Sequence, residues 1–218
     1  MPTTRQLPLF PLHTVLFPGL PLPVHVFEER YKRMVKRCLE EDRALGIVLI
    51  RSGSDVGAPA VPFDVGTLAR IVRVDHRDDG SFNLAIVGER RFRIQALVDG
   101  EPYAVGDVEV LDEEVPDVSD RLVAEVRARF QEYAQTLRRL AQRQAGTIRV
   151  PDGALELSYV VAANVQITRQ EQQALLEAPS AKRLQQESAL LRRELAMIQQ
   201  LGAVTARRVL APSELSLN

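Results

Sequence analysis

The 218-residue chain has no tryptophan, one cysteine, three histidines and three methionines. A single cysteine excludes an internal disulfide, and Cys38 falls on the apolar face of a helical pattern, where it reads as a small hydrophobe. His13, His25 and His76 have neither i, i+4 helical spacing nor a Cys-x-x-Cys partner, so the pattern predicts no metal site and no cofactor. No apolar run reaches the ~18 residues that a membrane span requires. The start, Met1-Pro-Thr-Thr-Arg-Gln, lacks the basic and apolar regions of a secretory signal, so a cytoplasmic protein without membrane contact is expected. Excess charge is missing too, the formal net charge being −1. Residues 1–112 carry 14 basic and 16 acidic side chains and residues 113–218 carry 14 and 13. Neither half has the basic excess that nucleic-acid binding leaves.

What is present is an ordinary soluble composition, 45% hydrophobic and 26% charged. Residues 7–12 and 22–27 are short, apolar and proline-marked, with Phe17-Pro18-Gly19-Leu20 as a turn between them. From Glu28 the period becomes helical. Tyr31, Met34, Val35, Cys38 and Leu39 take one face and Arg30, Lys32, Arg33, Lys36 and Arg37 the other, which predicts an amphipathic helix to about Asp42. Residues 44–50 form an apolar run of strand length, and a Gly, Ser, Asp and Pro-rich loop follows over 52–62. Residues 65–75 and 82–88 flank Asp79-Gly80, a hairpin signal, and further strands are predicted over 91–97 and 103–111. After Pro116 the pattern changes class. Leu122, Val126, Phe130, Tyr133, Leu137 and Leu140 mark a helix of about 25 residues capped by Asp117 or Ser119. Helices follow over 155–166, from the capping box Thr168-Arg-Gln-Glu171 to Pro179, and from Ser180 to a stop at Gly202.

Seven segments carry a resemblance: Leu9-Phe10-Pro11-Leu12, Phe17-Pro18-Gly19, Phe27-Glu28-Glu29-Arg30-Tyr31, Gly46-Ile47-Val48-Leu49, Val65-Gly66-Thr67, Asp79-Gly80, and Gly88-Glu89-Arg90-Arg91-Phe92-Arg93-Ile94. In this order and spacing they resemble the amino-terminal, substrate-recognition domain of the Lon family of ATP-dependent proteases. The resemblance covers nearly all of the chain and departs from the family pattern at Glu29, where proline is frequent. It implies an α+β fold. A PUA-like antiparallel β-barrel or sheet with one early inserted helix would occupy residues 1–115, a C-terminal α-helical bundle 116–202, and a frayed tail 203–218. The implied activity is non-catalytic binding of polypeptide. No Gly-x-x-x-x-Gly-Lys-[Ser/Thr] phosphate cradle occurs in the chain, and nothing around Lys32, Lys36 or Lys182 resembles a Ser-Lys nucleophile turn.

A proline-rich edge cannot complete a sheet ladder, which would leave Phe17, Pro18 and Leu20 near the surface as an apolar patch for unfolded segments. Packing of the same side chains beneath the barrel is the competing expectation. Arg33, Lys36 and Arg37, on the outer face of the first helix, offer a second contact for acidic clients. The expected partners are unfolded or client polypeptides or a dedicated protein partner, with the oligomeric state left open. Two other functions fit the chain: a PUA-like RNA-binding protein, or an adaptor working in trans with a separate ATPase or protease. RNA would engage Arg90, Arg91 and Arg93 and the arginine-rich stretch over 121–149. Strand alternation nevertheless puts Phe92 opposite Arg91 and Arg93, in the core rather than in a stacking platform.

Overall fold

Alternating apolar and polar side chains make sheet of the first 110 residues, and helical periodicity replaces them beyond. The computed structural model describes residues 4–42, 44–53, 60–113, 115–141 and 149–210. The strands are β1 (Thr4–Leu12), β2 (Pro21–Val26), β3 (Leu45–Ser52), β4 (Val61–Pro62), β5 (Val65–His76), β6 (Phe82–Val98) and β7 (Val105–Val110). The helices are α1 (Glu29–Glu40), α2 (Asp120–Ala141), α3 (Ala154–Asn164), α4 (Arg169–Glu177) and α5 (Ser180–Leu210).

The sheet runs β1-β7-β6-β5-β3-β4, and an additional β1–β3 pairing closes its first five strands into a ring. Pairing is antiparallel except between β1 and β3. Parallel neighbours need a long crossover connection, and the segment containing α1 supplies it. This explains why one helix interrupts the strands so early. On its inner face α1 buries Tyr31, Met34, Val35 and Cys38. These pack in one cluster with Phe10, Val26, Ile47 and Ile86. A second cluster gathers Leu7, Leu9, Val48, Leu68, Phe92 and Val108. The ring of Phe92 comes so close to the backbones of β3 and β5 that a Cβ added at Gly46 or Gly66 would lie 2.7 Å from its Cζ. Those two glycines exist to admit it.

The residues between β1 and β2 wedge onto β6. Gly19 N–H donates to the Gly88 carbonyl (2.8 Å) and Gly88 N–H donates to the Leu20 carbonyl (3.0 Å). The Thr67 hydroxyl donates to the buried Leu16 carbonyl at 2.6 Å. A Cβ at Gly88 would stand 2.5 Å from the Phe17 carbonyl oxygen. Phe17 itself is 1% exposed, its ring 6.2 Å from that of Tyr159 in α3.

Several expectations change. The strands expected over 82–88 and 91–97 are one 17-residue strand, β6. Its ladder with β5 absorbs two register irregularities, between Leu68 and Ala69 and between Ile71 and Arg73, so Gly88 bends the pairing without ending it. Val61–Pro62, within the expected loop, pairs with β3. The Thr168–Glu171 capping box is formed in both directions, and Ser119 caps α2, its hydroxyl accepting from Leu122 N–H at 3.4 Å. Helix α5 continues past Gly202 to Leu210, because one glycine weakens a helix by only about 1 kcal/mol. By compactness the chain divides into two units. One compact unit comprises Met1–Asp117 with Pro151–Arg183, the other Val118–Val150 with Leu184–Asn218. Helices α3 and α4 thus belong with the strands, and hydrogen bonds explain why: the Gln173 amide donates to the Val65 carbonyl of β5 at 2.9 Å. In the second unit, Val126, Phe130 and Tyr133 of α2 and Leu191 and Leu195 of α5 are buried. Ser188 of α5 donates to the Glu125 carboxylate at 2.6 Å.

Phe17→Ala is expected to lower unfolding stability by about 3–5 kcal/mol, and Gly88→Ala by about 1–3 kcal/mol through overpacking against the turn. Urea melts of the two variants read both losses; an unchanged midpoint in either would contradict this packing.

Candidate functional site

Among the described residues, hollows open on the strand-rich unit beside the turn that joins β6 to β7, and a smaller one adjoins them at the ends of β1 and β2. One, of about 420 Å³, is lined by Pro11, Tyr31, Leu97, Val98, Pro102 and Tyr103 among others. A small one of about 60 Å³ shares Pro11 and Tyr31 and adds Phe10, Leu12, His25 and Phe27. A third, of about 230 Å³, shares Val98–Glu101 and Tyr103 and adds Gln6, Pro8 and Arg37. The first of these falls within the size range of ligand pockets.

Sequence places these walls directly. The end of β1 supplies Pro11. The first turn of α1 supplies Tyr31, whose ring lies 4.5 Å from Phe10 and carries the Arg30 guanidinium at 4.6 Å. Leu97 and Val98 end β6, and Asp99-Gly100 turns the chain, with Gly100 at φ 119°. Two large apolar side chains remain outside the core here: Phe27 is 55% exposed and Leu97 56%. The Phe27 ring stacks on His25 at 5.8 Å, and His25 Nδ1 is bonded to the Asn83 side-chain oxygen at 2.8 Å.

The residues expected to bind polypeptide separate into two groups. Phe17 and Pro18 are buried and Leu20 is half-buried. The expected surface patch is therefore corrected, because the turn's backbone bonds to Gly88 direct Phe17 inward toward Tyr159. Arg33 and Lys36 are exposed on α1. Arg37 is partly exposed but engaged: it pairs with Glu41 at 3.0 Å, pairs with Glu101 and donates to the Tyr103 hydroxyl at 3.3 Å. Hydrogen bonds to Tyr103, Glu101 and Glu41 push its pKa above the ordinary arginine value. Phe27, Leu97 and Asp99 were not singled out from sequence. Phe27 reads there as the last strand residue and Asp99 as turn chemistry, and only pairing reveals that the ladders end at Val26 and Val98.

The arginines considered for RNA have other duties. Arg91 is buried, pairs with Glu113 at 2.8 Å, and donates to the carbonyls of Leu176 (2.8 Å) and Ala178 (3.0 Å) at the end of α4. This engagement takes Arg91 out of the set of arginines that an RNA-binding reading would put on phosphate. Arg90 pairs with Asp112 at 3.2 Å; Arg93 is exposed. The fully buried Arg183 also donates to the Ala178 carbonyl, at 3.4 Å, and to the Ser158 hydroxyl at 2.6 Å. Its guanidinium lies 4.1 Å from the Tyr159 ring. Tyr159 donates to Glu113, and burial, aided by that bond, pushes its pKa up to about 12. Among the described residues no group of three or more His, Cys, Asp or Glu side chains could hold a metal ion, and no helix is long and apolar enough to cross a membrane.

Comparison with known proteins gives one consistent result. A family model described as the ATP-dependent protease La (LON) substrate-binding domain matches residues 6–193. The chain is similar to the Lon protease of Cytophaga hutchinsonii, 29% identical over 182 residues, covering 80% of this chain and 22% of that protein. It is also similar to Lon protease 2 of Sorangium cellulosum, 30% identical over 189 residues, 83% of this chain and 24% of that protein. The chain thus spans under a quarter of the length of these relatives. Among solved structures, a Lon N-terminal domain protein from Xanthomonas campestris aligns with TM-score 0.67 and 26% identity, covering 85% of this chain and 98% of that one. The N-terminal domain of Mycobacterium avium complex Lon protease shares the fold, with TM-score 0.65 and 18% identity.

Arg91→Met leaves Glu113 without its buried partner and is expected to cost about 3–5 kcal/mol of stability. The double variant Arg91→Met, Glu113→Gln should recover part of that loss in the same denaturant titration; a neutral Arg91→Met would mean that the pair does not hold α4.

Proposed function

Since this chain belongs to the Lon substrate-binding domain family, we propose that it is a non-catalytic module that recognises exposed apolar segments of unfolded or client polypeptides. The observation that carries the reading is the hollow of about 420 Å³ flanked by solvent-exposed Leu97, with Phe27 beside the adjoining small one. Concave apolar surface suits side chains that folded proteins hide and unfolded chains display.

Binding on this reading rests on side-chain burial more than on strand addition. Edge strand β2 carries Pro21 and Pro23, which have no N–H to donate, so it offers an added strand an incomplete ladder. Arg33 and Lys36, exposed on α1, modulate binding by charge, and Leu20 contributes at most part of its surface. A dedicated protein partner would use the same apolar contacts, and the working compartment is the cytoplasm. The engagement of Arg91 supports polypeptide over RNA, because an arginine buried against Glu113 cannot also neutralise a phosphate.

The test is a titration against a permanently unfolded polypeptide, the same polypeptide folded, and a structured RNA, at low and at physiological salt. Selective binding of the unfolded chain, little changed by salt, is the expected result. Binding confined to RNA with a steep salt dependence, or equal binding of folded and unfolded chain, would overturn the reading.

A further inference from the structure

Five charged side chains line the three hollows: Glu28, Arg30, Arg37, Asp99 and Glu101. Four of them are mutually satisfied. Arg30 pairs with Glu28 at 3.0 Å, and Arg37 is shared between Glu41 and Glu101. Asp99 is exposed, lines both of the larger hollows, and among the described residues has no ion-pair partner. Asp99, two residues after exposed Leu97, is therefore a rim carboxylate with no cation of its own, and Arg37, split between Glu41 and Glu101, leaves no positive charge to spare.

We propose that the cleft under the β6–β7 turn receives a bulky apolar side chain of an unfolded client segment, and that Asp99 selects segments in which lysine or arginine flanks it. The inference rests on the polypeptide-binding reading and refines it to a class of segment. Charge complementarity decides the occupant. An acidic flank would meet Asp99 without relief from Arg30 or Arg37, whose charges are already taken up. A basic flank gains an ion pair at a site that has none to break. The apolar side chain gains burial against Tyr31, Leu97, Pro102 and Tyr103, at roughly 25 cal/mol for each Å² removed from water. Affinity then comes from the cleft, and the choice among clients from Asp99.

Three labelled unfolded peptides of equal length test this, each with one phenylalanine flanked by arginines, by serines or by glutamates. Their affinities are measured by fluorescence anisotropy at low salt for the wild-type chain, Asp99→Asn and Leu97→Ser, two changes at exposed positions. The wild type is expected to bind the arginine-flanked peptide tightest and the glutamate-flanked one weakest. Asp99→Asn should weaken the arginine-flanked peptide about threefold, within the range of an exposed ion pair, and leave the serine-flanked peptide unchanged. Leu97→Ser should weaken all three. If an unfolded protein still binds but neither variant alters peptide affinity, the site is wrong and the general reading stands. Preference for glutamate flanks would overturn the charge assignment in favour of Arg33 and Lys36. Failure of the wild type to bind any unfolded chain would overturn both.

Discussion

A single helix end ties the helices of the strand-rich unit to its strands. The carbonyl of Ala178, just past the last turn of α4, accepts from two buried guanidiniums, those of Arg91 in β6 and Arg183 in α5. The C-terminal end of a helix is its negative pole, and cations placed there are favoured electrostatically as well as by hydrogen bonding. Glu113 neutralises Arg91, Tyr159 donates to Glu113, and the Tyr159 ring supports Arg183. Arg91 has Glu113 as its counter-charge, whereas Arg183 is met by the Ser158 hydroxyl, helix carbonyls and the Tyr159 ring, with its Nη2 left without a hydrogen bond among the described residues. Through this cluster β6, α3, α4 and the start of α5 are joined, though residues 91 and 183 lie far apart in sequence.

The division of labour between surfaces follows. Side chains that serve this cluster, or the wedge that seats Phe17 over Gly88, are consumed by the fold and unavailable to a ligand. The conspicuous Phe17-Pro18-Gly19 turn is a packing element, and the paired arginines of β6 act on helix carbonyls and carboxylates. What stays open is the rim where β6 turns into β7. There the ladder has ended, Leu97 remains uncovered and the Asp99 carboxylate stands alone, while Phe27 lies uncovered by the adjoining small hollow. On the proposed function, a few apolar groups around a hollow suit a module that meets many unfolded sequences, with Asp99 adding only a preference for a basic flank.

Much of the fold was legible because it is encoded locally. The hairpin at Asp79-Gly80, the apolar face of α1 and the Thr168–Glu171 capping box each depend on residues a few positions apart, and each formed as its pattern implied, except that Leu39, expected on the apolar face of α1, is exposed. The burial of Phe92 followed from strand alternation alone. Features decided by distant partners were illegible. Arg91 resembles its neighbours Arg90 and Arg93 until α4 covers it, and α3 and α4 read as part of a helical bundle until Gln173 and Tyr159 are seen to bond with the strand-rich unit. The same limit applies to the candidate site. Exposure and packing of Phe17 were both open from the sequence, because its burial depends on Gly88, some 70 residues away. Phe27 and Leu97 looked like ordinary strand ends, and their exposure is set by where pairing with other strands stops.

The most direct test of this division of labour is a map of backbone amide chemical shifts in the isotopically labelled chain, recorded as an unfolded polypeptide is added. The account predicts that the largest changes fall on Phe27, Tyr31 and residues 97–104, with Phe17, Arg91 and the end of α4 unaffected. Changes centred on Phe17–Leu20 or on β6 around Arg91, with the β6–β7 turn silent, would contradict it.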